Sequence, residues 1–383
     1  MRNRVVLAGA LAQKPGYAGH TWVYLNWLLG FRRLDWDVLF LDSLSRDMCD
    51  APIESSTNLA YLDDAMRAFG LEGSWSVLGR SGEAFSAGLE RHKALNRVRE
   101  SDLLINVGGY LDDEEFLAAA RSRVYLDIDP GFGQMWRELG LHDPFAGHDI
   151  FVTIGENVGQ AGSRVPTCGL NWITTRQPVV LDLWPARAGG AHAFTSIGSW
   201  RGPFAPVEYE GVTYGLRVHE FRKFVGVPRL TGRDFELALD IHAAEVSDLR
   251  LLKRNGWRLV PPRKVAGAPN EYRDYVGSSK AEFMVAKNMY VATRSGWFSD
   301  RSACYLASGR PVIVQDTGLD GLYPVGEGLL TFSTVDEAAA AVESVASNYV
   351  RHARAAREIA ESEFASDRVL RALLDRISAS ARR

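Results

Sequence analysis

The first residues of the chain that could do chemistry lie in a glycine-rich segment holding one histidine. Residues 9–21 read GALAQKPGYAGHT and lead directly into a helical pattern. Glycines let a backbone approach a ligand closely, and a helix N-terminus favours negative charge. A neutral imidazole at His20 can accept a proton from a hydroxyl held over this loop. Alternatively, His20 caps the helix or binds a backbone carbonyl. The segment matches neither the GxGxxG fingerprint nor a P-loop.

Two aspartates end the strand that is predicted at residues 124–128. Asp127 and Asp129 are two residues apart, so both side chains lie on the same face of that strand. Carboxylates at a strand's carboxyl end can orient a base, bind sugar hydroxyls or hold a metal. The structural alternative is a turn in which an aspartate caps the next helix. We expect these residues to serve catalysis without a metal.

Two segments in the second half have the composition of a phosphate site. In SIGSWRG (196–202), small residues can present backbone N–H groups to a diphosphate and Arg201 can neutralise it. The alternative is an exposed turn. In RSGWFSDRSACYLASGRPVIV (294–314), Ser299 is predicted to cap a helix whose free N–H groups face a phosphate. Lys280 can also pair with a diphosphate, although such a lysine is more often solvated.

The predicted binding residues form a donor group and an acceptor group. The donor group comprises Gly198, Ser199, Trp200, Arg201, Lys280, Gly296, Trp297, Phe298, Ser299, Asp300 and Arg301. The acceptor group comprises Gly16, Tyr17, Gly19, Trp22, Gly108, Tyr110 and Trp136.

These residues need a scaffold, and the hydrophobic pattern predicts two parallel sheets. Short apolar runs alternate with helical patterns, as in βαβ units, and strands apolar at every position suit sheets covered on both faces. The predicted strands of the first half are 5–10, 37–42, 103–107, 124–128 and 150–154, with helices at 21–34 and 113–120. Those of the second half are 194–197, 235–239, 258–260, 282–286 and 311–314.

A proline- and glycine-containing stretch at 174–187 is predicted to link the two halves. The fold class is therefore α/β with two Rossmann-like, doubly wound domains facing a cleft. We place the first domain at 1–185, the second at 186–350, and helices that pack back toward the first domain at 351–383. Ligands of such sheets bind outside the carboxyl ends of the strands.

Composition excludes several classes of protein. The 383 residues are 46% hydrophobic, enough for two cores, and the net charge of −3 offers no broad positive field for nucleic acid or anionic lipid. Three scattered cysteines, without a CxxC spacing, fit a reducing cytoplasm. No run of about 20 apolar residues predicts a transmembrane helix. The excess of arginine over lysine hints at a GC-rich bacterial genome.

Three segments resemble GT-B glycosyltransferases, in particular the group-1 and spore-maturation-type branch. PGYAGHTWVYLNWLLGFRRLDWDVLFLD (15–42) resembles their opening loop and helix, and ASGRPVIV (307–314) their donor-binding motif. GEGLLTF (326–332), followed by TVDEAA, resembles their closing segment. The resemblance implies a nucleotide-sugar donor in the second domain, an acceptor in the first, and His20 as catalytic base.

The chain departs from that family at three positions. The aspartate that orients the histidine is missing after the strand at 103–107, leaving Asp112, Asp127 or Asp129 as substitutes. Cys304 replaces the glutamate that holds the donor ribose, and Asp300, one turn earlier, can take over that contact. Gly296 replaces an earlier glutamate of retaining members, which favours inversion.

We therefore predict a glycosyltransferase that moves a sugar from a nucleotide-diphosphate donor to an acceptor hydroxyl. Backbone dipoles with Arg201 or Arg301 would neutralise the leaving charge, so no metal or other cofactor is expected. Trp22, Trp27 and Trp136 suggest an apolar acceptor such as a natural product, and a glycan is the other candidate. Two alternative functions are a nucleotide-sugar epimerase and a non-catalytic nucleotide-sugar-binding protein. Oligomeric state is not predicted.

Overall fold

The first half of the chain folds around a parallel sheet. In the computed structural model, which describes residues 2–80, 85–186 and 193–380, its strands are β1 (Arg4–Ala8), β2 (Asp37–Leu44), β3 (Trp75–Gly79), β4 (Ser86–Gly88), β5 (Leu103–Val107), β6 (Arg123–Asp127), β7 (Ile150–Thr153) and β8 (Trp172–Thr174). Their order is β4-β3-β2-β1-β5-β6-β7-β8, and β4 alone among these pairs antiparallel. The core β3-β2-β1-β5-β6-β7 is the doubly wound order, whose ligands bind at the carboxyl edge.

Helices cover both faces of this first lobe. They are α1 (Ala18–Arg33), α2 (Thr57–Ala68), α3 (Arg91–Arg99), α4 (Glu114–Ala119) and α5 (Phe132–Glu138), with 3₁₀ turns at Arg46–Met48, Ile53–Ser55 and Leu181–Leu183. Helix α1 is buried along most of its length, including Trp22, Tyr24 and Trp27. It ends in Arg32 and Arg33, whose charge suits the negative end of the helix dipole.

A second parallel sheet forms the second lobe. Its strands are β9 (Phe194–Ser199), β12 (Phe235–Asp240), β13 (Trp257–Val260), β14 (Ala281–Met284), β15 (Val312–Gln315) and β16 (Leu329–Phe332), in the order β13-β12-β9-β14-β15-β16. A separate hairpin, β10 (Val207–Tyr209) with β11 (Val212–Tyr214), follows β9 and contacts α5 of the first lobe. The order again matches the doubly wound arrangement.

The helices of the second half divide between the lobes. They are α6 (Arg217–Phe224), α7 (Val227–Thr231), α8 (Val246–Arg254), α9 (Pro262–Val265), α10 (Pro269–Ser278), α11 (Asn288–Thr293), α12 (Asp300–Ala307), α13 (Val335–Ser347), α14 (Tyr349–Ile359) and α15 (Ser366–Ser380). Helices α13 and α14 pack on the second lobe, whereas α15 packs on α1 and β8. The chain crosses back at a π-helical segment, Ala360–Phe364, where Val179 N–H donates to the Phe364 carbonyl at 2.7 Å.

The predicted fold class is confirmed, and the differences concern short elements. Each predicted strand overlaps an observed one, because buried parallel strands carry continuous apolar runs. The prediction missed β3, β4, β8, β16 and the hairpin, whose runs are short or mixed with serine, threonine and glycine. The predicted linker contains the end of β8 and a 3₁₀ turn, and its last residue, Arg187, lies outside the described residues.

The close packing of α15 on α1 can be tested by a substitution at Gly30. A Cβ added at Gly30 would lie 2.7 Å from Leu370 Cδ1 and 3.1 Å from Ser366 Cβ. Gly30→Val should lower the free energy of unfolding by about 1–3 kcal/mol through overpacking, measured by urea denaturation. Gly226→Val is the control, because no atom lies within 4 Å of a Cβ there. Equal losses in both variants would contradict this packing.

Candidate active site

The carboxyl edges of the two sheets face each other across a cavity of about 530 Å³. We call it the cleft cavity, and its lining residues are Lys14, Tyr17, His20, Ser199, Trp200, Arg201, Gly202, Pro203, Asp240, His242 and Glu245. The first three belong to the loop after β1 and the start of α1. The others follow β9 and β12 in the second lobe. Both predicted loops, around His20 and around residues 198–202, therefore meet at one site.

His20 is held by a buried tyrosine on the same helix. Its Nε2 lies 3.2 Å from Tyr24 Oη, which also accepts a hydrogen bond from the Ala10 N–H at 3.0 Å. The two rings meet edge to face, with centroids 5.0 Å apart. Tyr24 is fully buried, so this pair fixes the orientation of the imidazole at the cavity wall.

Burial lowers the pKa of His20 from 6.5 to about 3. The nearby Lys14 charge lowers this pKa further, while the backbone of Ala10 acts in the opposite direction. The imidazole is therefore neutral at physiological pH. In this form one ring nitrogen carries a lone pair, as a proton acceptor requires.

The predicted carboxylate partner of His20 is not found among the described residues. Asp127 is buried and accepts hydrogen bonds from Gln134 Nε2 and Thr153 Oγ1, each at 2.8 Å. Asp129 instead reaches the second lobe, where Lys287 and Tyr290 donate to it. The structure corrects the expectation that Asp127 or Asp129 orients the histidine, because both carboxylates bond to other groups. Tyr24 holds the imidazole ring instead.

Asp112, the third substitute, lies at the surface and pairs with Arg80 at 3.2 Å. It is not a partner of His20 either.

A buried carboxylate that the sequence did not single out shapes the histidine loop. Asp42, at the end of β2, accepts hydrogen bonds from Ala12 N–H at 2.6 Å and from Gln13 Nε2 at 2.9 Å. Burial raises its pKa to about 7, and these hydrogen bonds oppose the rise. Asp42 is therefore a loop-positioning residue. The sequence signal that could have identified Asp42 is its position at the end of an apolar run.

Arg217, at the start of α6, is a second residue that the sequence did not reveal. A Cβ at Gly198 would overlap its guanidinium, which explains why glycine stands there. Burial and the neighbouring Arg301 lower its pKa to about 10, so it stays cationic at neutral pH. Its Nε is buried without a hydrogen-bond partner among the described residues. Among those residues no carboxylate forms an ion pair with Arg217.

Arg301 lies beside it and is already paired. Its side chain is buried, forms a salt bridge with Glu282 and donates from Nη1 to the Ile197 carbonyl at 2.8 Å. Its Nη2 lacks a partner among the described residues. Arg201, by contrast, is exposed and pairs with Glu245. Unpaired guanidinium N–H groups thus gather where β9 ends.

The tip of α12 is buried beside β14. Ser299 caps the helix as predicted, with its hydroxyl accepting from Arg301 N–H at 3.2 Å, but it is buried. Residues 296–301 do not line the cavity. Cys304 accepts a long contact of 3.9 Å from Asn26 Nδ2, so its helix face packs against α1. Asp300, next to Cys304 and Tyr272, has a pKa raised to about 6 by burial.

Five further predicted side chains make packing contacts, which corrects the assignment of those that lie outside the cleft cavity. Trp22 is buried and donates from Nε1 to the Pro269 carbonyl at 2.9 Å. Lys280 lies at the amino end of β14, at the edge of the sheet remote from the cleft, where its N–H bonds to Ala193. Sequence proximity to a motif does not reveal which way a side chain points.

The remaining three lie in the core or against the other lobe. Trp200 is buried and donates to Asp248 at 2.8 Å, although it borders the cavity. Trp297 stacks on Tyr290 at 4.3 Å and bridges Gly155, so Gly296 and Trp297 dock the lobes. Phe298 stacks on Phe364.

Of the predicted acceptor residues, Tyr17 lines the cleft cavity, and Tyr110 contacts the cavity-lining Lys14. Lys14 Nζ donates to Tyr110 Oη at 3.0 Å, which brings the loop after β5 to the histidine loop. Gly108 precedes it with a φ of 64°, a conformation that favours glycine. Trp136 is half-buried and packs on Phe204 of the second lobe at 5.3 Å.

Gly16 and Gly19 are contact points between the lobes. A Cβ at Gly16 would lie 3.6 Å from Arg263 Cδ, and one at Gly19 would lie 3.0 Å from Tyr272 Cε2. These glycines let the start of α1 approach the second lobe closely.

Two other kinds of feature are absent from the described residues. No group of three or more histidine, cysteine, aspartate or glutamate side chains there could hold a metal ion. No helix there is both long and apolar enough to cross a membrane.

Known proteins share the fold described above. Residues 232–375 match a family model described as glycosyl transferase-like, which covers the larger part of the second lobe. No curated protein matches the chain in sequence. The chain has the fold of the GT-B glycosyltransferases.

Solved structures share the fold along nearly the whole chain. An alpha-glucosyltransferase in complex with UDP and a 13-mer DNA superposes with a TM-score of 0.60 at 11% identity, covering 99% of this chain and 100% of its own. Sucrose-phosphate synthase from Thermosynechococcus elongatus gives 0.58 at 12%, with the same coverage. AviGT4, a glycosyltransferase involved in avilamycin A biosynthesis, gives 0.57 at 14%, covering 97% and 96%.

The low pKa of His20 predicts a pH-dependent stability. The unfolded state binds a proton below pH 6.5, whereas the folded state resists it down to about pH 3, so stability present above pH 6.5 is lost on acidification. Between pH 7.5 and 5.5 the protein should lose about 1 kcal/mol of stability from this group. His20→Asn should remove that part of the loss in urea titrations.

The matched control is the exposed His92, so His92→Asn should keep the wild-type pH dependence. A wild-type slope in His20→Asn would show that His20 titrates normally in the folded protein.

Proposed function

We propose that the protein transfers a glycosyl group from a nucleoside diphosphate sugar, bound by the second lobe, to an acceptor hydroxyl held by the first. The observation that carries this proposal is the pair of buried, unpaired donors at the end of β9, Arg217 Nε and Arg301 Nη2. A buried donor without an acceptor is costly, and a diphosphate supplies acceptors and opposite charge. The 198–202 backbone completes this anion site.

A second cavity suits the nucleoside of the donor. This slot, of about 370 Å³, is continuous with the cleft cavity at Tyr17 and Asp240, which line both. Its lining residues are Tyr17, Leu239, Asp240, Ile241, Leu249, Leu259, Val260, Pro261, Pro262 and Arg263. Apolar walls with a few polar groups at the rim are typical of sites for flat, partly polar ligands. A base would lie between the apolar walls, and Asp240 would reach ribose hydroxyls.

His20 is proposed as the group that accepts the proton of the acceptor hydroxyl. In the free protein its pKa is too low for an efficient base, since the optimum lies near the working pH. A bound diphosphate brings negative charge into the cavity beside Lys14 and raises the pKa of His20. The base would then form only in the donor complex, with inversion at the anomeric carbon as the expected outcome.

Leaving-group charge is proposed to be neutralised by protein groups alone. Arg217 and the backbone N–H groups around Gly198 would stabilise the charge of the leaving group. A divalent ion would then be unnecessary for this purpose. Transfer should then persist in EDTA.

The acceptor is proposed to be apolar. Trp136 and Phe204 form an aromatic contact between the lobes beside the cavity-lining Pro203. AviGT4 is named for the biosynthesis of avilamycin A, and a natural product is the acceptor class we propose here. One neighbour was solved with DNA. Our proposal includes no nucleic acid, because the chain carries a net charge of −3.

Donor binding can be tested without knowing the acceptor. UDP, dTDP and GDP should be screened by thermal shift, and at least one should raise the melting temperature. Arg217→Met should weaken binding of that nucleotide about ten-fold or more, because a charge-assisted contact is lost. Arg233→Met, which removes an exposed arginine paired with Glu343 on the same lobe, is the control. A screen in which no nucleotide binds would overturn the proposal.

Catalysis is tested with the identified donor and a panel of apolar acceptors. His20→Gln should lower kcat about 100-fold or more while nucleotide affinity is retained. Product anomers read by NMR decide between inversion and retention, and EDTA tests the metal. Incubating the donor without acceptor tests the epimerase alternative, which predicts an isomerised sugar.

A further inference from the structure

The slot is built almost entirely by the second lobe. Among the described residues that line it, Tyr17 alone comes from the first lobe. Tyr17 precedes α1 and lies three residues before His20. Together with Asp240, at the end of β12, it also lines the cleft cavity, so the two cavities meet at this pair.

Two contacts hold Tyr17 at that boundary. Its hydroxyl donates to Asp240 Oδ2 at 3.0 Å, across the two lobes. The guanidinium of Arg263 lies 5.3 Å from the centroid of its ring. Gly16, with a φ of 79°, turns the chain so that the loop passes close to the Arg263 stem. A hydrogen bond and a cation–π contact therefore both depend on the lobes being together.

We propose that Tyr17 is a donor-specificity residue supplied by the acceptor lobe: its ring packs against the nucleoside in the slot, and its hydroxyl joins the lobes through Asp240. This inference rests on the proposed function. Tyr17 would couple recognition of the nucleoside to closure of the cleft over His20. A diphosphate without a nucleoside does not reach the slot, so it should bind independently of Tyr17.

The test compares two probes on the full-length protein. The nucleoside diphosphate that raises the melting temperature most, and inorganic pyrophosphate, are titrated calorimetrically. Tyr17→Ala should weaken binding of the nucleoside diphosphate about ten-fold or more, as expected for loss of an aromatic contact with a base. The affinity for pyrophosphate should not change. Tyr17→Phe keeps the ring, so its affinity for the nucleoside diphosphate should fall between those of Tyr17→Ala and the wild type.

The control is Tyr61→Phe, because the Tyr61 hydroxyl bonds to Thr21 within the first lobe, away from both cavities. Small-angle scattering should show compaction by the nucleotide in wild type and Tyr61→Phe but not in Tyr17→Ala. Equal nucleotide affinity in Tyr17→Ala and wild type would overturn the inference, as would an equal loss for pyrophosphate. A wild-type protein that binds pyrophosphate but no nucleotide would instead overturn the proposed function.

Discussion

A buried cation without a carboxylate partner is the constraint on which the second lobe depends. Arg217 lies against Gly198, and among the described residues its Nε has no acceptor. Keeping a guanidinium in such a place is costly unless an anion joins it. Arg301 adds a second unpaired donor. Glu282 and the Ile197 carbonyl bond to its guanidinium, but its Nη2 has no partner among the described residues. The end of β9 therefore gathers guanidinium donors that lack a partner among the described residues.

The first lobe brings its chemistry to the same place through packing. Glycines at 16 and 19 let α1 approach Arg263 and Tyr272, and Trp22 reaches Pro269. Helix α15 then crosses back and packs on α1. With the lobes held at several points, His20 and Ser199 line one cavity. The proposed base and the proposed leaving-group site need a shared space to act together, and this packing would place them in one.

Much of the fold followed from the sequence, because fully buried parallel strands are continuous apolar runs. Strands such as β1 and β15 carry that signal, whereas β4 and β8 are short, lie at the edge of the sheet and lack it. The loops around His20 and Gly198 were also predictable, since glycine between a strand and a helix marks close approach to a ligand. Arg217 was not, because it meets Gly198 only after the intervening hairpin has folded. Trp22 was misassigned because its position near a motif carries no information about the face of α1 it occupies.

The electrostatics of the cleft favour an order of events. In the free protein, burial and Lys14 keep His20 unprotonated and too weak a base for proton transfer. The diphosphate that we propose at Gly198 and Arg217 would change the field that His20 experiences, because the anion that pairs with the guanidinium would also raise the pKa of the imidazole. Tyr24, bonded to the Ala10 N–H, holds the ring in place while its proton affinity changes. The donor would thus prepare the base for the acceptor. An empty cleft, with a neutral and weakly basic histidine, would have little capacity to activate water.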